Sequence, residues 1–129
     1  MNGRMLLDTN IVIALWANDA SVTQQLASAP EVFVPVIVLG ELYYGARKSA
    51  WSTKNVERID DLAARSSVLP CNLDTARHYG MIKDRLRVAG RPIPENDLWI
   101  AAIAMQHSLV LVTRDEHFQR IDGLTVVEW

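Results

Sequence analysis

Short apolar runs alternate with longer stretches of helical periodicity along this chain. Residues 4–7, 32–34, 68–69, 109–112 and 125–128 read as five brief strands, the second closed by Pro35 and the third followed by Pro70. Residues 11–16 read as a helix capped by Thr9 or Asn10, and residues 21–28 as a second short one. Residues 36–47 read as a helix despite their β-branched start, because the run is too long for a strand and Gly40 and Gly45 suit none. Val56, Ile59, Leu62 and Ala63 recur at helical spacing, which predicts a surface helix over 53–65 with one apolar face. Tyr79, Ile82, Leu86 and Ala89 predict another over 74–89; Gly90 ends it, and Pro92 and Pro94 stiffen the loop beyond. A last helix starts at Asn96 or Asp97 and runs through Gln106.

Strands separated by helices require crossover connections, and these build a parallel sheet between helical layers, an α/β fold in three layers. The 129 residues suffice for one domain, residues 1–129, and are too few for two. In such a sheet, ligands bind beyond the carboxyl ends of the strands, at the point where the strand order reverses. Asp8 follows the first strand and Asp115 the fourth. An order of 3-2-1-4-5 makes those strands neighbours and lets the two carboxylates meet.

Two further acids lie on apolar helical stripes. Glu41 is spaced i−4, i−3 and i+3 from Ile37, Val38 and Tyr44, and Asp97 heads the face carrying Ile100, Ala101 and Ala104. A lone carboxylate in such surroundings loses solvation. Four converging carboxylates with no lysine or arginine between them suit a hard divalent cation, Mg²⁺ or Mn²⁺. Each acid also has an ordinary structural reading: Asp8 and Asp115 as turn or cap residues, Asp97 as a first-turn acid favoured by the helix dipole, Glu41 as a helix-edge residue reaching water. Asn96 is available to cap the last helix and free Asp97. Thr9, Asn10 and Thr113 are candidates for hydrogen bonds that orient the ligands, with capping as the alternative.

Composition narrows the function classes. One cysteine, Cys71, excludes an internal disulfide, and three scattered histidines offer no zinc spacing. No apolar run approaches the roughly 18 residues that span a membrane, and a signal peptide is not apparent, so a cytoplasmic location is expected. The formal charge of −2 argues against a polyanionic partner only at first sight. With the four candidate ligands set aside, 11 acids face 13 bases, so the remaining surface is mildly basic. Arg85, Arg87 and Arg91 could contact phosphate, though a solvated helix face is the ordinary reading. His117 reads as a solvent-exposed loop residue and stays outside the candidate site. Trp16, Trp51, Trp99 and Trp129 read as core or interface residues. No phosphate-binding glycine loop and no nucleophile with an adjacent base is present.

Taken together, four segments resemble the acidic motifs of the PIN-domain ribonucleases, and within them the VapC-type toxins of bacterial toxin–antitoxin pairs. These are Leu7-Asp8-Thr9-Asn10, Gly40-Glu41-Leu42-Tyr43-Tyr44-Gly45-Ala46, Pro92-Ile93-Pro94-Glu95-Asn96-Asp97-Leu98-Trp99-Ile100-Ala101-Ala102 and Thr113-Arg114-Asp115-Glu116-His117-Phe118. Their order and spacing run nearly end to end. The resemblance implies a PIN-like fold, metal-dependent RNA cleavage, a homodimer, and inhibition by a VapB-like antitoxin. It assigns Asp8, Glu41, Asp97 and Asp115 to one or two Mg²⁺ or Mn²⁺ ions, with Asp8 central. With two ions, one lowers the pKa of the attacking water and the other stabilises the leaving oxygen. Leu15 and Trp16, with Tyr43 and Tyr44, are the expected antitoxin anchors. The competing reading is a PIN-like module that binds RNA or protein without cutting it, which a missing carboxylate would favour.

Overall fold

A computed structural model describes residues 4–129. Five strands, β1 (Arg4–Leu7), β2 (Glu31–Pro35), β3 (Ser67–Leu69), β4 (Val110–Val112) and β5 (Val126–Val127), form one sheet. Its order is β3-β2-β1-β4-β5 and every pairing is parallel, as the pattern predicts. Six helices join them: α1 (Thr9–Trp16), α2 (Ala20–Ser28), α3 (Val36–Lys48), α4 (Ser52–Arg65), α5 (Leu73–Val88) and α6 (Glu95–Gln106). No helix among the described residues is long and apolar enough to cross a membrane.

The sheet is short but doubly covered. Leu6 and Leu7 are both buried, as are Val110, Leu111 and Val112. Successive strand residues point to opposite faces, so burial at consecutive positions means that helices cover both. Helix α6 has no polar face along its middle: Ile100, Ala101, Ala102, Ile103 and Ala104 are all fully buried. A helix apolar all round belongs inside, and its three alanines permit close packing. Burying α6 carries the acid of its first turn, Asp97, inward with it.

The element ends differ in small, informative ways. The cap of α1 is Asp8 itself, whose side chain accepts from the Thr9 N–H. Helix α6 starts one residue earlier than expected, after Pro94, and has no side-chain cap, so Asn96 does not fill that role. A 3-10 turn over Glu116–Arg120 was not legible; Asp115 caps it, accepting from the His117 N–H at 2.9 Å. Asp8 and Asp115 therefore satisfy the capping reading given to them.

Candidate metal-binding active site

Strands β1 and β4 pair in register, Leu7 opposite Val112, and the Asp8 N–H extends the ladder to the Val112 carbonyl at 3.0 Å. The chain leaves both strands side by side at the reversal of strand order. The next side chains, Asp8 and Thr113, meet there: the Thr113 hydroxyl donates to Asp8 Oδ2 at 2.7 Å. Asn10 reaches the same place, with its amide 3.3 Å from Thr113 Oγ1 and 3.4 Å from Asp8 Oδ2. The Asp115 N–H donates back to Thr113 Oγ1 at 3.0 Å. Glu41 joins from α3 through the Thr9 hydroxyl, which donates to its Oε1 at 3.0 Å. Each of the three expected orienting residues thus bonds to an acid of the set.

The electrostatics show how closely the carboxylates converge. Burial pushes the Asp8 carboxyl above its ordinary range; the Thr113 hydroxyl and Thr9 N–H oppose this, and the charges of Glu41 and Asp115 add to it. Asp97 is pushed up to about 6, first by burial and then by Asp8, Asp115 and Glu41, with only His117 pulling it down. A helix N-terminus favours an anion by about 0.3–1 kcal/mol. The displacement of Asp97, from 3.8 to about 6, is worth on the order of 3 kcal/mol in the opposite direction. Desolvation and mutual repulsion therefore outweigh the dipole. The strongest influences on the two carboxyls include no lysine or arginine.

Asp97, Asp115 and His117 bring one ligand atom each to within 4.8 Å of one another. His117 Nδ1 lies 3.0 Å from Asp115 Oδ1 and 3.8 Å from Asp97 Oδ2, and it has no hydrogen-bond partner. Sequence reasoning left this histidine in solvent. The 3-10 turn reverses the chain after Asp115 and returns the imidazole to the acids, and no periodicity announces that turn. The i+2 spacing from a candidate ligand was the one available signal. Asp8 lies outside this tight trio, and its oxygens accept from the Thr9 N–H, the Thr113 hydroxyl and the Asn10 amide.

Arg114 was also not foreseen. Its N–H donates to Asn10 Oδ1 at 3.2 Å, its Nη2 to Asp19 Oδ2 at 2.9 Å and its Nε to the Trp129 carbonyl at 3.0 Å. One residue thereby ties the loop bearing Asp115 to α1, to the cap of α2 and to the last strand's exit.

A groove between α1, α3 and α4 runs up to the acids. Ile13, Trp16, Leu42 and Ile59 form its apolar wall, and Thr9 and Glu41 lie at its edge. Of the four expected anchors, only Trp16 lines it, with the Arg58 guanidinium 5.2 Å from its ring. Leu15 and Tyr43 pack against the core, and Tyr43 donates to Asp60. Tyr44 is exposed instead of completing the Glu41 stripe, with the Lys48 ammonium over its ring. Trp99 stacks on Tyr79 with centroids 4.0 Å apart, Trp129 packs against the core, and Trp51 is exposed.

A parallel sheet in this order, with acids gathered at the β1–β4 reversal, defines a class of domain. The chain matches the family model described as PIN domain over residues 5–124, and it belongs to that family. Within the family it is similar to Ribonuclease VapC2 of Haemophilus influenzae, 35% identical over 98% of each chain. It is also similar to the tRNA(fMet)-specific endonuclease VapC of Shigella flexneri, 33% identical over 98% of each. Among solved structures, it superposes on a chain of VapBC2 from Rickettsia felis bound to a promoter DNA fragment. That match has a TM-score of 0.89 at 30% identity and covers 97% of this chain and 98% of the other.

Proposed function

We propose that this chain is a metal-dependent endoribonuclease acting in the cytoplasm, the toxin of a toxin–antitoxin pair. Asp8, Glu41, Asp97 and Asp115 would hold a divalent cation, and His117 is placed to join them. The observation that carries this reading is the Asp97 carboxyl, raised to about 6 by burial and by three carboxylates, with His117 the one group among its main influences that lowers it. With a carboxyl at about 6 the set is largely ionised at pH 7, where its charges repel one another unless a cation lies among them. Carboxylate oxygens suit Mg²⁺ and Mn²⁺. Bound there, the cation supplies Lewis acidity at a phosphodiester and a water that is nucleophilic near pH 7. Thr113 and Asn10 fix the Asp8 carboxylate, and Thr9 fixes Glu41. The caps at Asp8 and Asp115 anchor both acids to backbone, so neither has to be ordered when substrate arrives.

Likeness to proteins named ribonucleases supports RNA as substrate, and likeness to chains solved as VapBC supports a VapB-like antitoxin as partner. The groove beside Glu41 fits that partner: an apolar segment would fill it, and a basic side chain would reach the acids. The test is to map RNA 5′ ends in cells after a short pulse of expression, with Asp8→Asn alongside. Discrete new ends in one RNA class with the wild type, absent with the variant, are expected. Identical end maps for the two would sink the reading.

A further inference from the structure

The arginine cluster noted in the sequence does not stay together in the fold. Arg87 is spent on Asp84, with its Nη2 2.7 Å from Oδ1. Arg91 turns the other way, to a cleft of about 710 Å³ whose lining also includes Asp115, His117, Gln119 and Arg120. This cleft borders the acids, because Asp115 and His117 belong to both. Its size lies within the range of small-ligand sites, about 300–1,000 Å³.

Arg91 is held in place by its backbone alone. Helix α5 ends in a left-handed turn at Gly90, with φ of 68°. The Gly90 N–H donates to the Arg87 carbonyl at 3.1 Å, and the Arg91 N–H to the Leu86 carbonyl at 2.9 Å. These two bonds form a Schellman cap, which fixes where the following residue starts. Beyond it, the Arg91 guanidinium has no hydrogen-bond or ion-pair partner among the described residues. Arg120 closes the opposite wall and spends one nitrogen, Nη1, on the Pro92 carbonyl at 2.9 Å. That bond ties the 3-10 turn to the loop carrying Arg91 and leaves the other donors of Arg120 without partners among the described residues. Arg114 lines the cleft as well, but its head is pinned to Asp19 and Trp129.

We propose that Arg91 and Arg120 hold a phosphodiester of the RNA strand next to the one that is cut, so that the cleft sets the strand's path out of the metal site. This rests on the reading of the site as a ribonuclease centre. A guanidinium offers a planar fork of donors that matches phosphate oxygens. Apart from the imidazole of His117, no ring lines the cleft, so it offers no base-stacking platform and grips backbone, not sequence. Glu116 and Glu128 stand on its walls and repel a second phosphate, which limits the cleft to one. The contact therefore positions RNA without choosing it, and sequence preference lies elsewhere on the surface.

The test uses the full chain and a single-stranded RNA oligonucleotide. In the Asp8→Asn background, anisotropy titrations over a series of NaCl concentrations give the slope of log K against log salt. Arg91→Ala should lower that slope by about 0.7, the loss of one phosphate contact on a single strand, and Arg91→Lys should restore most of it. Arg87→Ala is the control and should leave the slope unchanged. In the cleaving enzyme, Arg91→Ala should raise KM about three- to tenfold with kcat within twofold and an unaltered melting temperature. Unchanged slope and KM in Arg91→Ala, while the wild type cleaves RNA, overturns the cleft and leaves the ribonuclease standing. A lost contact in binding, with a wild type that cleaves nothing, supports the cleft and sinks the ribonuclease. Weakened antitoxin binding with unaltered RNA binding also overturns the proposal, giving the cleft to the protein partner.

Discussion

The Thr113 hydroxyl donates to Asp8 Oδ2 at 2.7 Å, joining residues 105 positions apart in the chain. Thr113 Oγ1 in turn accepts from the Asp115 N–H. One buried side chain thus links two acids of the set and has its donor and acceptor capacity used. Replacing Thr113 with Val keeps the shape and deletes all of this. It leaves the part-buried Asp115 N–H unpaired and removes the shortest side-chain hydrogen bond to Asp8 Oδ2. Thr113→Val should lose about 1–3 kcal/mol of stability by urea unfolding. Its cleavage should fall by about 10- to 100-fold, the usual cost of freeing a ligand from its orienting partner. A urea midpoint equal to the wild type's would contradict this account.

The displaced carboxyl of Asp97 predicts an unusual pH dependence without metal. Between its ordinary value of 3.8 and about 6, the native chain keeps a proton that the unfolded chain has released. The native state binds more protons there, so stability falls as pH rises through that window. Asp8 is displaced in the same direction and adds to the same sign. Up to about 3 kcal/mol is at stake for Asp97. Melting temperatures measured in EDTA from pH 4 to 7 should decline, and Asp97→Asn should flatten the curve. A wild-type curve that rises over this range would refute the convergence of charges.

Divalent cations should act oppositely. An ion that binds only the native state adds stability by mass action, about 2.7 kcal/mol at one hundred times its dissociation constant. Mg²⁺ or Mn²⁺ should raise the melting temperature of the wild type at pH 7 by several degrees. The Asp8→Asn, Asp97→Asn double variant should respond much less, and it should melt higher in EDTA because repulsion is relieved. Equal responses in both proteins would leave the shared cation site without support.

Ile13 tests the groove. It is an apolar residue 54% exposed on α1, so changing it should cost little stability. If an apolar antitoxin segment fills the groove, Ile13→Ser should weaken inhibition about tenfold, the scale of one lost apolar contact of about 1–2 kcal/mol. RNA cleavage by the free enzyme should be retained. Titrating antitoxin into a cleavage assay measures both. Undiminished inhibition would place the partner elsewhere.

The strand order and the acid set were legible because they follow from local pattern and one topological rule. Apolar runs of strand length mark the strands, and an acid after β1 and another after β4 make sense only if those strands are neighbours. Thr9, Asn10 and Thr113 were legible as positions beside those acids. What stayed hidden depends on chain reversal or on long-range contact. His117 comes to the acids through a turn with no periodic signature, and Arg114 reaches Asp19 across 95 positions. Arg91 parts from Arg87 because Gly90 takes a left-handed conformation, which the spacing of arginines does not reveal. Tyr44 misled because its helical offset from Glu41 puts it near the stripe's edge, where tertiary packing decides exposure.

The adjacency of β1 and β4 has a consequence for how the protein is made. Asp8 and Glu41 leave the ribosome well before Asp97 and Asp115. Strand β1 has its second neighbour only when residues 110–112 arrive. Domains grow from the N-terminus during translation, and contacts between distant residues close last. A nascent chain therefore carries its first two acids for more than fifty residues without the partners that complete the set. The set is complete only once residue 115 has followed, so a chain interrupted before it would lack one of the four acids.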